Sequence, residues 1–495
     1  MMRLIGLVGF RSILGTLLVV LPCIGGTAEN LTNAESVALQ DAVPNEAPLE
    51  VETYPVLAAF DPPPGWIPPP PSGVPSSGGF PIDLLAAISL AGADDLEIKF
   101  MRGRLQEAYA DHQLSAVRYL PSLSLFTEFF KHEGRIQGTV GDLPRASKQS
   151  LYTGAKIEWV YDLTHERYEK LAACQDREAV AADLAATRED RLYHAAILYF
   201  DLVGAVAQTA VAEESYHRGL ALVEYQESLH NRGKGLKADV ARAQAFRAEQ
   251  AQGLTQAHGT REISSVRLAT QLRLDPMVPL DPAEDAVVPV VLVDTAQPRE
   301  ALIAGALKKR PELRREQLDQ MAAQTRRNGA RMKRFLPTFS TEARVGGFGG
   351  DDGSGMDEYD DRADLRAYVE WGTDHLGKGD RARIAQRDAQ LSQAAIRKQQ
   401  IEDQIRKEVL VSLAGVQTAE GKMKYATEQV LAASESLSLT DSRLRSGLAI
   451  PYEVITAQDA LVRAKNNQVG SIIEFNKAEL SLLRSLGGFE SILKR

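Results

Sequence analysis

The segment Gly372-Thr-Asp-His-Leu-Gly377-Lys378-Gly379 comes nearest to a chemical motif, since a glycine-rich loop between strand and helix can cradle phosphate with backbone N–H groups and a lysine. The Ser/Thr that would hold magnesium is Gly379 here, so the segment reads as a turn and not as a nucleotide site. Asp351, Asp352, Asp357, Asp360 and Asp361 lack the ligand spacing of a calcium loop and read as a solvated acidic connection. The eight histidines fall at no metal-binding spacing, and no nucleophile stands in a pattern with a base. These residues predict neither an enzyme nor a bound metal or cofactor. Two acids stand out by position instead. Asp239 follows Gly233 by six residues, and Glu453 follows Gly447 by six. Each opens a helix, where the macrodipole favours a carboxylate by about 0.3–1 kcal/mol, and that role alone accounts for them. The glycines read as helix-to-helix turns, where a left-handed backbone is required.

The elements that position these turns are long. Residues 380–444 contain no proline, and Val409, Val416, Met423, Val430, Leu437 and Leu444 recur every seven residues. Ala419, Ala426, Ala433 and Thr440 trail that apolar row by three, which predicts a large/small coiled-coil seam. Such a helix is about 100 Å long at 1.5 Å per residue. The chain is also a tandem repeat. Asp94-Asp-Leu-Glu and Tyr119-Leu-Pro-Ser-Leu in one half recur as Arg310-Pro-Glu-Leu and Phe335-Leu-Pro-Thr-Phe in the other. The Gly233 and Gly447 turns recur likewise. Each repeat parses as a short helix, a helix, two strands, a very long helix, the glycine turn and a last helix. Pro81 and Pro298 are expected in the first turns of the short helices, and Pro311 at the start of the next helix. The second long helix is expected to pair with the helices near 313–334 and 451–486 as a separate two-column rod.

The strands alternate. Leu151, Thr153, Ala155, Ile157, Trp159, Tyr161 and Leu163 take one face, while Gly154, Lys156, Glu158 and Asp162 take the other. Phe339, Thr341, Ala343 and Val345 oppose Ser340, Glu342 and Arg344, and Leu365, Ala367, Val369 and Trp371 oppose Asp364, Arg366 and Glu370. Strands apolar outside and charged inside fit an outer-membrane barrel, with Ile157, Trp159, Val369 and Trp371 facing lipid. A soluble sandwich with one wet face alternates in the same way, so the strands alone leave both open. Four strands cannot close a membrane barrel, so a spanning sheet requires several chains; only three, giving twelve strands, would leave a useful pore. Residues 133–149 and 346–362 are expected to be long polar surface loops.

Composition agrees with export. Arg3 and Arg11, the apolar run 13–24 and Gly26-Thr27-Ala28 predict a signal peptide over 1–28, cleaved after Ala28. Pro22 occupies the position where lipidation of Cys23 would need a small residue, which leaves Cys174 as a lone structural thiol. Residues 29–80 are proline-rich and read as an extended lead-in. The repeats are placed at 81–290 and 291–495. No later segment holds 18 consecutive apolar residues, and a net charge of −9 argues against a nucleic-acid partner.

From residue 82 to 487 the chain resembles the TolC family of outer-membrane efflux proteins. The resemblance is carried by the paired Leu-Pro strand openings, Tyr199-Phe200-Asp201-Leu202, both glycine turns and the closing helices. It implies a mainly α fold: a homotrimer whose twelve-stranded β-barrel crosses the outer membrane and continues as an α-helical coiled-coil tunnel into the periplasm. The implied role is exit duct of a tripartite efflux pump or type I secretion system, with a periplasmic adaptor and an inner-membrane transporter of RND, ABC or MFS type as partners. Gly233, Lys234, Gly447, Leu448 and Ala449 would be the adaptor-contacting tips, and Asp239 and Glu453 the acids of the periplasmic entrance. Thr456 stands where the best-known members often carry a second acid. The alternative is a soluble periplasmic coiled-coil scaffold.

Overall fold

Caps and prolines set where the helices begin. In the computed structural model, which describes residues 79–284, 286–351 and 359–489, strand β1 (Phe80–Ile82) leads to α1 (Leu84–Asp94). The Asp83 carboxylate accepts the Ala86 N–H and caps α1, so Pro81 lies in β1 and not in a first helical turn as expected. Asp95 caps α2 (Leu96–Val117) in the same manner. Then follow β2 (Ser122–Arg135), β3 (Arg145–Asp162), α3 (Lys170–Asn231), α4 (Lys237–Gln271) and β4 (Leu280–Pro282). The second half repeats this order with α5 (Arg299–Lys309), α6 (Pro311–Met332), β5 (Thr338–Asp351), β6 (Asp360–Glu370), α7 (Lys378–Arg445) and α8 (Pro451–Ser485). Pro298 is the N-cap of α5 and Pro311 the first residue of α6, where a missing N–H costs nothing. The signal segment with Cys23, the lead-in as far as residue 78, and Asp352 and Asp357 lie outside the described residues.

The heptad seam of α7 is buried where it was expected: Val409, Val416, Ala419, Ala426, Leu437 and Leu444 are inside, and Met423 and Val430 pack at the margin. The packing differs from two separate rods. α6 lies against both α3 and α7, and α8 packs on α7 and α3, so the halves interlock. Among the described residues one helix, α3 with the turn before it, is long and apolar enough by composition to cross a membrane. Its apolar stretch, with Leu192, Ala195, Ala196, Tyr199, Leu202 and Val203, instead forms the main core with Ile88, Leu268 and Leu480.

β2, β3, β5 and β6 form one antiparallel sheet in that order, so β2 and β6 are its edges. Both hairpins run further than expected: β2 reaches Arg135, β3 starts at Arg145 and β5 reaches Asp351, which shortens the connections to residues 136–144 and 352–359. The glycines of 346–350 are strand residues. A Cβ on Gly346 would meet the Thr153 carbonyl at 2.0 Å, and Gly347 and Gly349 lie against the Tyr359 ring. Close backbone approach and a covering aromatic, not a turn, explain that glycine run. The parallel pairing of β1 with β4 was not foreseen, because three residues carry no period.

Candidate functional site

The pairing register fixes what each face of the sheet carries. Leu123 lies opposite Ile157, Leu125 opposite Ala155 and Phe129 opposite Leu151, while Ala343 lies opposite Ile157 and Leu365 opposite Ala343. Side chains of directly paired residues share a face, so Leu123, Leu125, Phe129, Ile157, Trp159, Phe339, Val345, Leu365 and Val369 form one apolar surface. Toward the helical side its only ionisable group is the Tyr161 phenol, while Asp361 and, beyond Leu151, Lys131, Glu133, Arg135, Arg145 and Asp351 lie on the same face at the hairpin ends. This surface is bare: Leu125 is 85% exposed and Leu123 72%. Ile157, Trp159 and Val369 belong to this face, and Trp371 follows the last residue of β6 in the same alternation. The opposite face collects Glu128, Lys156, Glu158, Glu342, Arg344, Arg362, Asp364, Arg366 and Glu370. There Arg344 bridges Glu342 and Glu128 and stacks on Phe126, while Arg362 pairs with Asp364 and stacks on Tyr152 and Phe348. The rings pack edge to face, with centroids 4.8 Å apart for Phe126–Tyr152 and 5.8 Å for Tyr152–Phe348. This aromatic–arginine network was missed, because alternation reports a residue's face and not its neighbours on the next strand.

At the strand ends the near-phosphate loop is a turn. His375, Leu376 and Gly377 are all left-handed, and Asp374 binds Lys333 and Arg383, whose hydrogen bonds hold its carboxyl below the ordinary range.

The far ends of the long helices are built twice in the same way. Gly233 has φ 70° and Gly447 φ 75°. The Lys234 N–H donates to the Leu229 carbonyl at 2.9 Å, and the Leu448 N–H to that of Arg443 at 2.8 Å, which closes both helices with the same left-handed cap. A Cβ on either glycine would meet nothing within 4 Å, so glycine is required by conformation alone. Lys234 and Leu448 are exposed, and Ala449 packs under its tip against the Leu437–Leu444 cluster. Leu236, Ile450 and Tyr452 are exposed beside them, apolar tip residues that the sequence reading did not select. Asp239 and Glu453 both stand in first helical turns, yet they are paired with different arginines: Asp239 with Arg242 at 3.0 Å and Glu453 with Arg443 at 3.6 Å. A further acid, Asp459 on α8, has its pKa raised by burial and by Glu249 of α4.

Between tips and sheet, the two halves are joined by three ion pairs along α3 and α8: Asp190–Arg484, Asp201–Lys477 and Glu214–Lys465. Tipward of Glu214 the ladder stops. There a cleft of about 640 Å³ opens between α3, α7 and α8, lined by Arg218, Leu222, Tyr225, Leu437, Leu444 and Leu461.

Residues 302–488 match the family model of the outer membrane efflux proteins. That segment lies in the second half of the chain, and over it the sequence is similar to the outer membrane efflux protein family. No curated protein matches it. Among solved structures it is similar to the outer-membrane channel OprN, with TM-score 0.70, 20% identity, and 82% of this chain and 90% of that one covered. It is also similar to VceC of Vibrio cholerae, with TM-score 0.68, 17% identity, and 82% and 96% covered. CmeC of Campylobacter jejuni gives TM-score 0.68, 15% identity, and 83% and 88% covered. At these identities the structures establish the fold.

Proposed function

We propose that this chain is an outer membrane efflux channel that extends into the periplasm, three copies of which close one twelve-stranded barrel and form the exit duct of a tripartite efflux pump or type I secretion system. The observation that carries this reading is the four-stranded sheet, apolar on one face from its helical side toward the hairpin ends, charged on the other, with β2 and β6 as open edges. Unpaired edge N–H and C=O groups are not viable in lipid, so each edge must be completed by another chain. Ile157, Trp159, Val369 and Trp371 then face lipid, and the charged face lines a wet lumen. Gly233, Lys234, Gly447, Leu448 and Ala449 form six tips in the trimer, which an adaptor's helical hairpins engage. The exposed Leu236, Ile450 and Tyr452 add apolar contact there. Asp239 and Glu453 supply negative charge at the periplasmic entrance, moderated by Arg242 and Arg443. The adaptor in turn joins the duct to an inner-membrane transporter of RND, ABC or MFS type, and no cofactor is involved. Residues 1–28 are the export signal, the proline-rich segment after them a spacer, and 81–290 and 291–495 the two repeats.

Two substitutions test the reading at its two ends. Ile157→Arg faces lipid and costs an amount that rises with depth from about 1 kcal/mol near the interface to roughly 2–4 kcal/mol at the midplane, whereas Glu158→Arg faces the lumen and is tolerated. Equal insertion yields into vesicles would count against a lipid-facing barrel. Gly447→Val opposes the left-handed backbone and adds bulk at the contact. It should leave export and assembly intact while abolishing adaptor cross-linking and efflux; wild-type cross-linking would sink the tip assignment.

A further inference from the structure

Each repeat ends its pair of strands at the helical side with the same group of residues. Ser122 pairs with Glu158 and Thr338 with Glu370, so Trp159 and Trp371 occupy equivalent positions one residue beyond those pairs. Three residues before Ser122 and Thr338 stand Tyr119 and Phe335, each preceded by an arginine, Arg118 and Arg334, and followed by Leu-Pro. Trp159 lies on the apolar face and donates its indole N–H to the Tyr119 carbonyl at 2.6 Å, which sets the Arg118-Tyr119 segment at the edge of that face. Lys170 lies over the Tyr119 ring, 5.5 Å from its centroid. In the second repeat the Arg334 guanidinium stacks on Phe335 at 4.6 Å. Phe335 and Trp371 are more than half exposed, as is Leu120.

The two arginines differ from the other cations around them. Lys170 is paired with Glu166, Lys333 and Arg383 with Asp374, and Arg331 with Asp388. Arg118 and Arg334 are exposed and have no acidic partner among the described residues. Leaving the same two charges unpaired in both repeats, beside bare aromatic and leucine side chains, suits a partner that is anionic at one level and apolar just above it.

We propose that Arg118 and Arg334 bind the phosphate headgroups of anionic phospholipids at the periplasmic rim of the barrel, with Leu120, Phe335 and the two tryptophans against the upper acyl chain. The proposal rests on the membrane-barrel reading. Its chemistry is that of a membrane interface, where indole and phenol rings sit at headgroup level and arginine meets phosphate with two parallel hydrogen bonds. Stacking on Phe335 holds one guanidinium in place before the lipid arrives. Charge complementarity and continuity with the bare apolar face of the sheet select this occupant.

The test uses tryptophan quenching by brominated lipids, with Trp66→Phe removing the third indole so that Trp159 and Trp371 report alone. The full-length mature protein is reconstituted in phosphatidylcholine vesicles containing increasing phosphatidylglycerol, with either lipid brominated in turn. The wild type should prefer phosphatidylglycerol by roughly fivefold, the ratio equivalent to about 1 kcal/mol per basic residue at an anionic surface. In R118Q/R334Q the preference should fall to about one while quenching by brominated phosphatidylcholine stays unchanged, and R118K/R334K should keep most of it. A preference that survives R118Q/R334Q, or is absent from the wild type, overturns the proposal. Absence of quenching by brominated phosphatidylcholine in the wild type would instead refute the barrel reading, and this proposal with it.

Discussion

The junctions between the short and medium helices, Asp95 in the first repeat and Arg310 in the second, meet one structural need with opposite charge. Both residues are almost fully buried, at 2% and 4% exposure. Asp95 accepts the Glu97 and Ile98 N–H groups, and its second oxygen accepts from Arg191 of α3 at 2.7 Å and from Gln271 at 3.0 Å. Arg310 takes the reverse part: it forks onto Glu312 and reaches Glu408 of the long helix α7. The helix after Asp95 needs a side-chain cap. The helix after Arg310 has no side-chain cap; Pro311 presets its first turn, and Glu312 supplies there the acid that Arg310 binds. The two junctions are also neighbours: Arg484 of α8 binds Glu312 and, through Asp190, the residue beside Arg191. Duplication therefore preserved the backbone turn and the tie to the long helix, while the sign of the charge was free to invert.

The sharpest way to break this comparison is Arg310→Met. Removing the buried cation leaves Glu312 and Glu408 to share Arg484 alone, and breaking such a buried pair costs up to about 3–5 kcal/mol. Thermal unfolding should therefore shift strongly downward. Asp95→Ala should cost less, about 1–2 kcal/mol from the lost cap and ion pair, because Arg191 is one-third exposed and keeps Gln271. If the two variants prove equally destabilised, charge inversion without change of role is the better description.

Acid titration gives a smaller, signed effect. Burial alone would raise the Glu312 pKa, but hydrogen bonds and charge from Arg310, with Arg484 beside it, outweigh burial and hold it at about 2 against an ordinary 4.5. A carboxylate depressed in the folded state adds stability that is complete above its unfolded pKa and is lost as pH falls through the folded one. Unfolding temperature should accordingly fall between about pH 4.5 and 2, and this acid limb should flatten in Arg310→Met while persisting in Asp95→Ala.

Periodicity made much of this molecule legible. The seven-residue seam of α7, the two-residue alternation of the strands and the doubled glycine turns are local patterns, and each marks the surface its residues occupy. What stayed hidden depends on partners far apart in sequence. Arg310-Pro-Glu-Leu was visible as a repeat marker, but Glu408 is needed to show Arg310 as a buried charge. The ladder from Asp190 to Lys465 joins residues more than 250 positions apart. Strand ends were placed too early because the glycines of 346–350 resemble loop residues until the facing Thr153 carbonyl and Tyr359 ring are known. At the candidate site, sequence selected the glycines and the helix-opening acids; the arginines opposing those acids and the cleft above them required packing.

The account's central claim is that one chain supplies a third of a closed barrel. Native mass spectrometry of the protein extracted from outer membranes into lipid nanodiscs measures this directly. Three chains per particle, lost together with membrane partitioning in Ile157→Arg but not in Glu158→Arg, is the predicted result. A monomer or dimer in lipid, or a soluble species released with the periplasm, would contradict it.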